Sequence, residues 1–252
     1  MRAIALITGA TAGIGRATAL TLARNDYDVV IAGRRTERLD ALEEEIRSKT
    51  PADVLSLTFD IRDQAAVRQA CGKLTGRWEG VDLLVNNAGL AAGLSHIHEG
   101  AVDDWEQMID TNLKGLLYIT RQISPGMVQR GRGHIVNIGS IAGKESYEKG
   151  NAYNATKFAV DGLTQGMRID LVDHGIKVTA INPGAVETEF SLVRFKGDQE
   201  EADRVYEGFT PLYAEDIAEA ILFAVTRPPH VNIDDMLIMP TAQARSRKFS
   251  RK

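Results

Sequence analysis

The chain has 252 residues, 44% of them hydrophobic and 25% charged, with a formal net charge of −4. That is enough apolar material for a substantial core, and the near-balance of charge gives no reason to expect nucleic-acid binding. With 23 glycines and 7 prolines the chain is neither collagen-like nor disordered, and no apolar run approaches the roughly 18 residues that span a bilayer.

An apolar run already begins at Ala3, so no secretory leader is expected. The lone Cys71 offers neither an intrachain disulfide nor a thiolate metal cluster, and a soluble protein of the reducing cytoplasm is the expectation. Five histidines, with His96 and His98 the one close pair, suggest no metal site.

Val- and Ile-rich runs at residues 3–7, 28–32, 54–59, 83–85, 134–138, 177–181 and 236–239 read as strands. Helical spacing fills residues 16–24, 37–48, 64–74, 105–130, 153–173 and 214–225. Alternation of this kind implies right-handed crossovers between parallel strands, hence a doubly wound α/β sheet covered on both faces. No repeat or proline-rich linker divides the chain, so one domain over residues 1–252 is expected.

The first strand runs into Thr8-Gly9-Ala10-Thr11-Ala12-Gly13-Ile14-Gly15 and then a helix. The spacing is G-x-x-x-G-x-G. Glycines there permit a tight turn and let a pyrophosphate approach the amide donors at the helix N-terminus. NAD binding usually needs a carboxylate at the end of the second strand to meet the ribose hydroxyl. Here that strand ends in Gly33-Arg34-Arg35, with no acid before Glu37. Two guanidiniums suit the 2′-phosphate of NADP through charge-assisted hydrogen bonds.

Further along come Asn86-Asn87-Ala88-Gly89 after the fourth strand, Asn112, and Ser140 just after the fifth strand. Tyr153 and Lys157 follow, four apart, on one helix face. A tyrosine ionises near pH 10, too high for proton transfer at neutrality. An ammonium at about 4 Å would offer roughly 4 kcal/mol to the phenolate, lowering its pKa by up to about three units. Taken singly each of these residues is a common turn or helix residue; their order along the chain is what carries weight.

In that order the chain resembles the short-chain dehydrogenase/reductase family, with Thr8-Gly9-xxx-Gly13-x-Gly15, Asp60, Asn86-Asn87-Ala88-Gly89, Asn112, Ser140, Tyr153-xxx-Lys157 and Pro183-Gly184 all in register. The resemblance implies a three-layer Rossmann fold with a seven-stranded parallel sheet and a catalytic tetrad of Asn112, Ser140, Tyr153 and Lys157. Tyr153 would exchange the proton, Ser140 orient the substrate oxygen, Lys157 also hold the nicotinamide ribose, and Asn112 hold a relay water. The cofactor would lie along the turn residues Gly9, Thr11, Ala12, Gly13, Ile14 and Gly15. Arg34 and Arg35 would meet its phosphate, Asp60 and Ile61 its adenine, Asn87, Ala88 and Gly89 the adenosine ribose region, and Pro183, Gly184, Val186 and Thr188 the nicotinamide end. A homo-oligomer, dimer or tetramer, built on the helices at 105–130 and 153–173 is also implied.

Val193-Arg194-Phe195-Lys196-Gly197-Asp198 and Pro229-His230-Val231-Asn232-Ile233 with Met239-Pro240 are similar to the NADP-dependent 3-hydroxy acid (serine or allo-threonine) dehydrogenase group. That group often carries Trp-Pro-Tyr ahead of the catalytic tyrosine, whereas this chain has Lys144-Glu145-Ser146-Tyr147. Tyr147 and Arg194 are therefore candidate substrate residues beside Ser140 and Tyr153, and Arg194 with Lys196 suits a carboxylate or sulfonate. The expected reaction is hydride transfer between NADP(H) and the alcohol or carbonyl of a short anionic substrate, such as serine, 3-hydroxypropanoate or malonic semialdehyde. Sulfoacetaldehyde, bulkier ketones or acyl thioesters are alternatives on the same scaffold, and a non-catalytic dinucleotide-binding regulator is the alternative of another class.

Residues 187–209 are charged and lack clear periodicity, and read as a long, mobile lid loop. The last eight residues hold five basic groups, leaving 25 basic against 34 acidic groups elsewhere. They read as a solvated, frayed tail, with anion attraction or subunit contact the alternative.

Overall fold

In the computed structural model, which describes residues 2–252, seven strands form one parallel sheet. They are β1 (Ala3–Thr8), β2 (Tyr27–Gly33), β3 (Val54–Thr58), β4 (Val81–Asn86), β5 (Gly133–Ile138), β6 (Ile176–Pro183) and β7 (Asp235–Ile238). Their order is β3-β2-β1-β4-β5-β6-β7. Every expected strand is present, and the central ones are buried almost throughout because helices cover both faces.

Alternate residues serve opposite layers. Ile7, Val29, Ile31, Val85 and Val136 pack against α1 (Gly13–Arg24), α2 (Thr36–Lys49) and α9 (Ala214–Val225). Leu6, Val30, Leu84 and Ile135 pack on the other side against α3 (Gln64–Cys71), α5 (Leu116–Arg130) and α6 (Asn151–Leu171). The result is the three-layer doubly wound arrangement. No helix among the described residues is long and apolar enough to cross a membrane.

The chain winds outward from β1 through β2 to β3 and then returns to β4 on the other side of β1. Connections leaving the carboxyl ends of β1 and β4 therefore diverge and open a crevice between them, the place where open α/β sheets take their ligands.

Three segments differ from expectation. The long helix expected over residues 105–130 is broken into α4 (Val102–Ile109), a π turn at Asp110–Gly115, and α5. Within the π turn, Asn112 is drawn inward: its Oδ1 accepts from Leu90 N at 2.9 Å, and its Nδ2 donates to Leu90 O at 2.9 Å and Thr156 Oγ1 at 3.0 Å. Wide turns of this kind recur where a side chain must be re-aimed from a helix.

Residues 187–209 are not a structureless loop. They hold α7 (Glu189–Arg194) and α8 (Gln199–Arg204), capped by the Thr188 hydroxyl and the Asp198 carboxylate. At six residues each, these helices are too short to show periodicity. The segment is also fastened: Gly93 N donates to Arg194 O at 2.9 Å, Lys196 pairs with Asp104 at 2.9 Å, and Tyr206 Oη donates to Val186 O at 2.8 Å.

The basic tail is not frayed either. It forms a hairpin, β8 (Gln243–Arg245) and β9 (Lys248–Phe249). Gln243 is buried and accepts from Ala185 N at 2.8 Å, while Phe249 stacks on Phe209 at 4.7 Å. Arg251 lies over both rings and donates to the Glu207 carbonyl. Positive charge here is spent on aromatic faces and backbone carbonyls, which composition does not reveal.

On β5, His134 is buried, with Nε2 2.8 Å from Thr179 Oγ1, and burial pushes its imidazole down to about 3. The unfolded chain takes up that proton near pH 6.5, so between these values the unfolded state holds more protons and stability falls as pH falls, by about 1.4 kcal/mol per unit. Chemical denaturation at pH 7 and pH 5 should show a loss from this group of about 2 kcal/mol. In His134→Asn the pH slope should shrink by that amount, and an unchanged slope would refute the assignment.

Candidate active site

The crevice is a cleft of about 580 Å³ running from the β1–α1 turn to the C-terminal hairpin. At its first end, Gly9 has φ 67° and Gly13 φ 49°, conformations that side chains resist. A Cβ on Gly9 would also lie 2.9 Å from Ala88 Cα. Thr11, Ala12, Gly13 and Ile14 line the cleft, whereas Gly15 is buried beneath them, packed toward Gly9 and Asn87. The N-cap of α1 is Ala12, with no side-chain cap and no acid in the first turn. Its free amide donors and dipole thus favour an anion at the turn.

Asn87, Ala88 and Gly89 line the same wall. The Asn87 amide is largely committed to the turn, donating to Thr8 O at 2.8 Å and Gly9 O at 3.2 Å, while Thr8 Oγ1 accepts from Asn87 N and Ala88 N. These bonds tie the end of β4 to the end of β1. Asp60 and Ile61 form the adjoining edge, with Asp60 gripped by Arg62 and 3.8 Å from Arg34. The Arg62 hydrogen bond outweighs burial and holds the Asp60 carboxyl below its ordinary range.

Arg34 and Arg35 both face the cleft. Arg35 donates to Thr11 Oγ1 through Nε (3.2 Å) and Nη2 (2.9 Å), and through Nη1 to Glu189 at 3.0 Å. Arg38, on the first turns of α2, donates to the other Glu189 oxygen at 2.6 Å. Neither Arg38 nor Glu189 stood out in the sequence, because their partnership spans 151 positions.

At the far end, Ser140, Tyr147, Tyr153, Lys157 and Arg194 line the cleft together with Pro183, Gly184, Val186 and Thr188. Asn112 does not reach the cleft; it sits behind Gly89, with its amide spent on Leu90 and Thr156. Ser140 is extended at the end of β5, its N donating to Asn182 Oδ1 at 3.1 Å and its hydroxyl accepting from Ala142 N.

The Tyr153 and Lys157 side chains are both buried. The ammonium lies 5.9 Å from the Tyr153 ring centre and donates to Ile138 O at 2.8 Å. Desolvation then dominates both groups. Lys157 is pulled down to about 8 by burial, and Tyr153 is pushed up to about 12 by burial and the neighbouring Tyr147, with Arg194 and Ser140 pulling the other way. This corrects the expected phenol made acidic by Lys157. In this environment Tyr153 holds its proton at neutral pH, and positive charge beside it must offset burial before the proton can be handed over.

The cation nearest the phenol comes from α7. The Arg194 guanidinium lies 4.8 Å from the Tyr153 ring centre and 5.2 Å from that of Phe190, and donates to Tyr147 Oη at 2.8 Å. Its Nε is buried with no hydrogen-bond partner among the described residues. A second guanidinium converges from the C-terminal hairpin: Arg247 lies 4.6 Å over Tyr147 and lines the cleft. Burial, reinforced by the like charge of Arg194, lowers its pKa. Arg194 against the Tyr153 ring and Arg247 against the Tyr147 ring place two cations at this end of the cleft, an arrangement that favours an anion. The clustered arginines of the tail were the available signal for Arg247, but only the hairpin shows which of them turns inward. The tail is held by Glu145, whose carboxylate accepts from Ser246 N and from Arg245 at 3.0 Å. The Ser246 amide foremost, with Arg245, holds that carboxyl below its ordinary range.

Residues 3–198 match the family model for short chain dehydrogenases. An NADP-dependent 3-hydroxy acid dehydrogenase of Salmonella typhi is 49% identical over 96% of both chains. Sulfoacetaldehyde reductase 2 of Chromohalobacter salexigens is 43% identical over 97% of this chain and 96% of the relative. The closed form of a serine dehydrogenase complexed with NADP+ superposes with a TM-score of 0.93 over 99% of both chains, at 43% identity.

Removing the Glu145 carboxylate should release the hairpin without unfolding the sheet. In Glu145→Gln, amide hydrogen exchange over residues 243–249 should rise while the strands stay protected; equal protection in both proteins would show that the hairpin does not depend on this contact.

Proposed function

The chain belongs to the short chain dehydrogenase family, and from that premise we propose that it is an NADP(H)-dependent oxidoreductase interconverting an alcohol and its carbonyl on a short anionic substrate of the 3-hydroxy acid or semialdehyde type. The observation that carries the substrate class is Arg194, stacked over the Tyr153 ring with an unsatisfied Nε and with Arg247 beside it. An acid group seated on the Arg194 guanidinium lies against the Tyr153 ring, and so beside the proton donor.

The residues present suit the cofactor. The uncapped N-terminus of α1 and the Gly9–Gly13 turn can take a pyrophosphate, and Arg34 and Arg35 a 2′-phosphate. When bound, the cofactor supplies the hydride. The protein does the rest. Ser140 orients the substrate oxygen, and Tyr153, protonated up to about pH 12, delivers the proton in reduction. Lys157, held on Ile138 O, keeps a positive charge beside the phenol below about pH 8. Arg194 and Arg247 fix the anionic end so that the reacting atoms are aligned. Asn112 supports the site by joining Leu90 to α6.

The whole chain acts as one unit in this reading, with α7 and α8 as its lid. Exposed Leu117 on α5 and Phe158 and Ile169 on α6 supply apolar faces for a homo-oligomer. Burial raises the Cys71 thiol to about 11, so it stays protonated and unreactive at neutral pH.

Tyr153→Phe should abolish NADPH-linked turnover, by about 10³-fold or more, while NADPH still binds. Near-normal kcat would overturn the mechanism. The paired guanidiniums also suit a sulfonate, which keeps a sulfoacetaldehyde-type reaction as the second reading. Comparing kcat/KM for 3-hydroxypropanoate, serine and 2-hydroxyethanesulfonate decides between them. In Arg194→Ala, kcat/KM for the anionic substrates should fall by about 10²-fold, with less effect on a neutral alcohol; equal losses on charged and neutral substrates would remove the anion pocket from the account.

A further inference from the structure

Glu189 stands where a dinucleotide's phosphate is expected. It opens α7, lines the cleft, and spreads its two carboxylate oxygens over Arg35 at 3.0 Å and Arg38 at 2.6 Å. Arg35 is at the same time bridged to Thr11 of the glycine turn. The carboxylate thus occupies the same guanidinium edges that a 2′-phosphate would use. Burial disfavours its ionisation, but the Arg38 and Arg35 hydrogen bonds outweigh that and keep the carboxyl below its ordinary range. All three side chains remain more than 40% exposed, so the pairs are weak enough to be exchanged.

We infer that Glu189 is an internal stand-in for the cofactor's 2′-phosphate, competing with it for Arg35 and Arg38, and that Arg38 is a third phosphate-reading guanidinium. The inference rests on NADP(H) being the cofactor. A phosphate dianion carries more charge than a carboxylate and displaces it. NADH, with a hydroxyl there, leaves Glu189 in place. Glu189 therefore lowers the protein's affinity for NADPH while doing little to NADH. Because Glu189 opens the short helix that Arg194 closes, displacement also frees the first turn of the segment that presents Arg194 to the substrate pocket.

Equilibrium binding of NADPH and NADH, by calorimetry or fluorescence, tests this on the wild type and on Glu189→Gln and Arg38→Gln. Glu189→Gln should tighten NADPH by about five-fold and change NADH by less than about two-fold, and Arg38→Gln should weaken NADPH by a similar factor. In the wild type, 2′,5′-ADP should raise amide exchange in residues 189–194 relative to 5′-AMP. An NADPH to NADH ratio that stays put or falls in Glu189→Gln, or equal exchange with the two nucleotides, overturns the inference and leaves the cofactor assignment standing. A wild type that binds NADPH no tighter than NADH overturns both.

Discussion

Burial of a phenol and an ammonium on one helix face is the constraint around which the functional end of this molecule is arranged. Lys157 is displaced by about two units or more below its ordinary value, which costs about 3 kcal/mol at neutral pH, where the ammonium is charged folded and unfolded alike; the raised Tyr153 is neutral in both states there and carries no such cost. The fold offsets that cost by specific means. Lys157 is held by the carbonyl at the end of β5, and Arg194 and Ser140 lie on the other side of the phenol. The cation that most favours the phenolate comes from a different element than the lysine four residues away. Proton affinity at this position is thereby coupled to α7 and to whatever α7 holds.

The cleft is cationic at both ends, and the same short helix touches both. Glu189 neutralises Arg35 and Arg38 at the first end, and Arg194 reaches the tyrosines at the second. Cations gathered around a cleft without counter-charge repel one another and destabilise the fold. An acidic residue on a displaceable element resolves this, since it supplies charge balance until a ligand brings its own. At the second end no carboxylate among the described residues pairs with Arg194; Glu145 instead anchors the hairpin through Arg245 and the Ser246 amide. Arg247 is left on the lining of the cleft, stacked on Tyr147.

The loop after β5 is fastened by charge. Lys144 pairs with Asp161 and Asp235, and Glu145 with the tail, so two consecutive charges fasten the segment carrying Tyr147 to three distant parts of the chain. Without the Glu145 carboxylate the tail would lose its contacts through Arg245 and the Ser246 amide.

The amino-acid sequence by itself determined the layered fold, because parallel strands buried on both faces must be continuous apolar runs and the helices between them must be amphipathic. It also determined which residues stand at the carboxyl edge of the sheet, since Gly9, Ser140, Tyr153 and Pro183 follow strands or open helices at legible boundaries. Tertiary structure alone decided the rest. Whether Tyr153 is acidic or basic depends on desolvation, which spacing along a helix does not measure. The π turn at Asn112 arises from bonds to Leu90 and Thr156, 22 and 44 positions away. Helices of six residues and a two-residue strand carry too little pattern to read, and the charges that meet in the cleft, Glu189 on Arg38 and Arg247 beside Arg194, lie far apart in the chain until folding places them within contact distance.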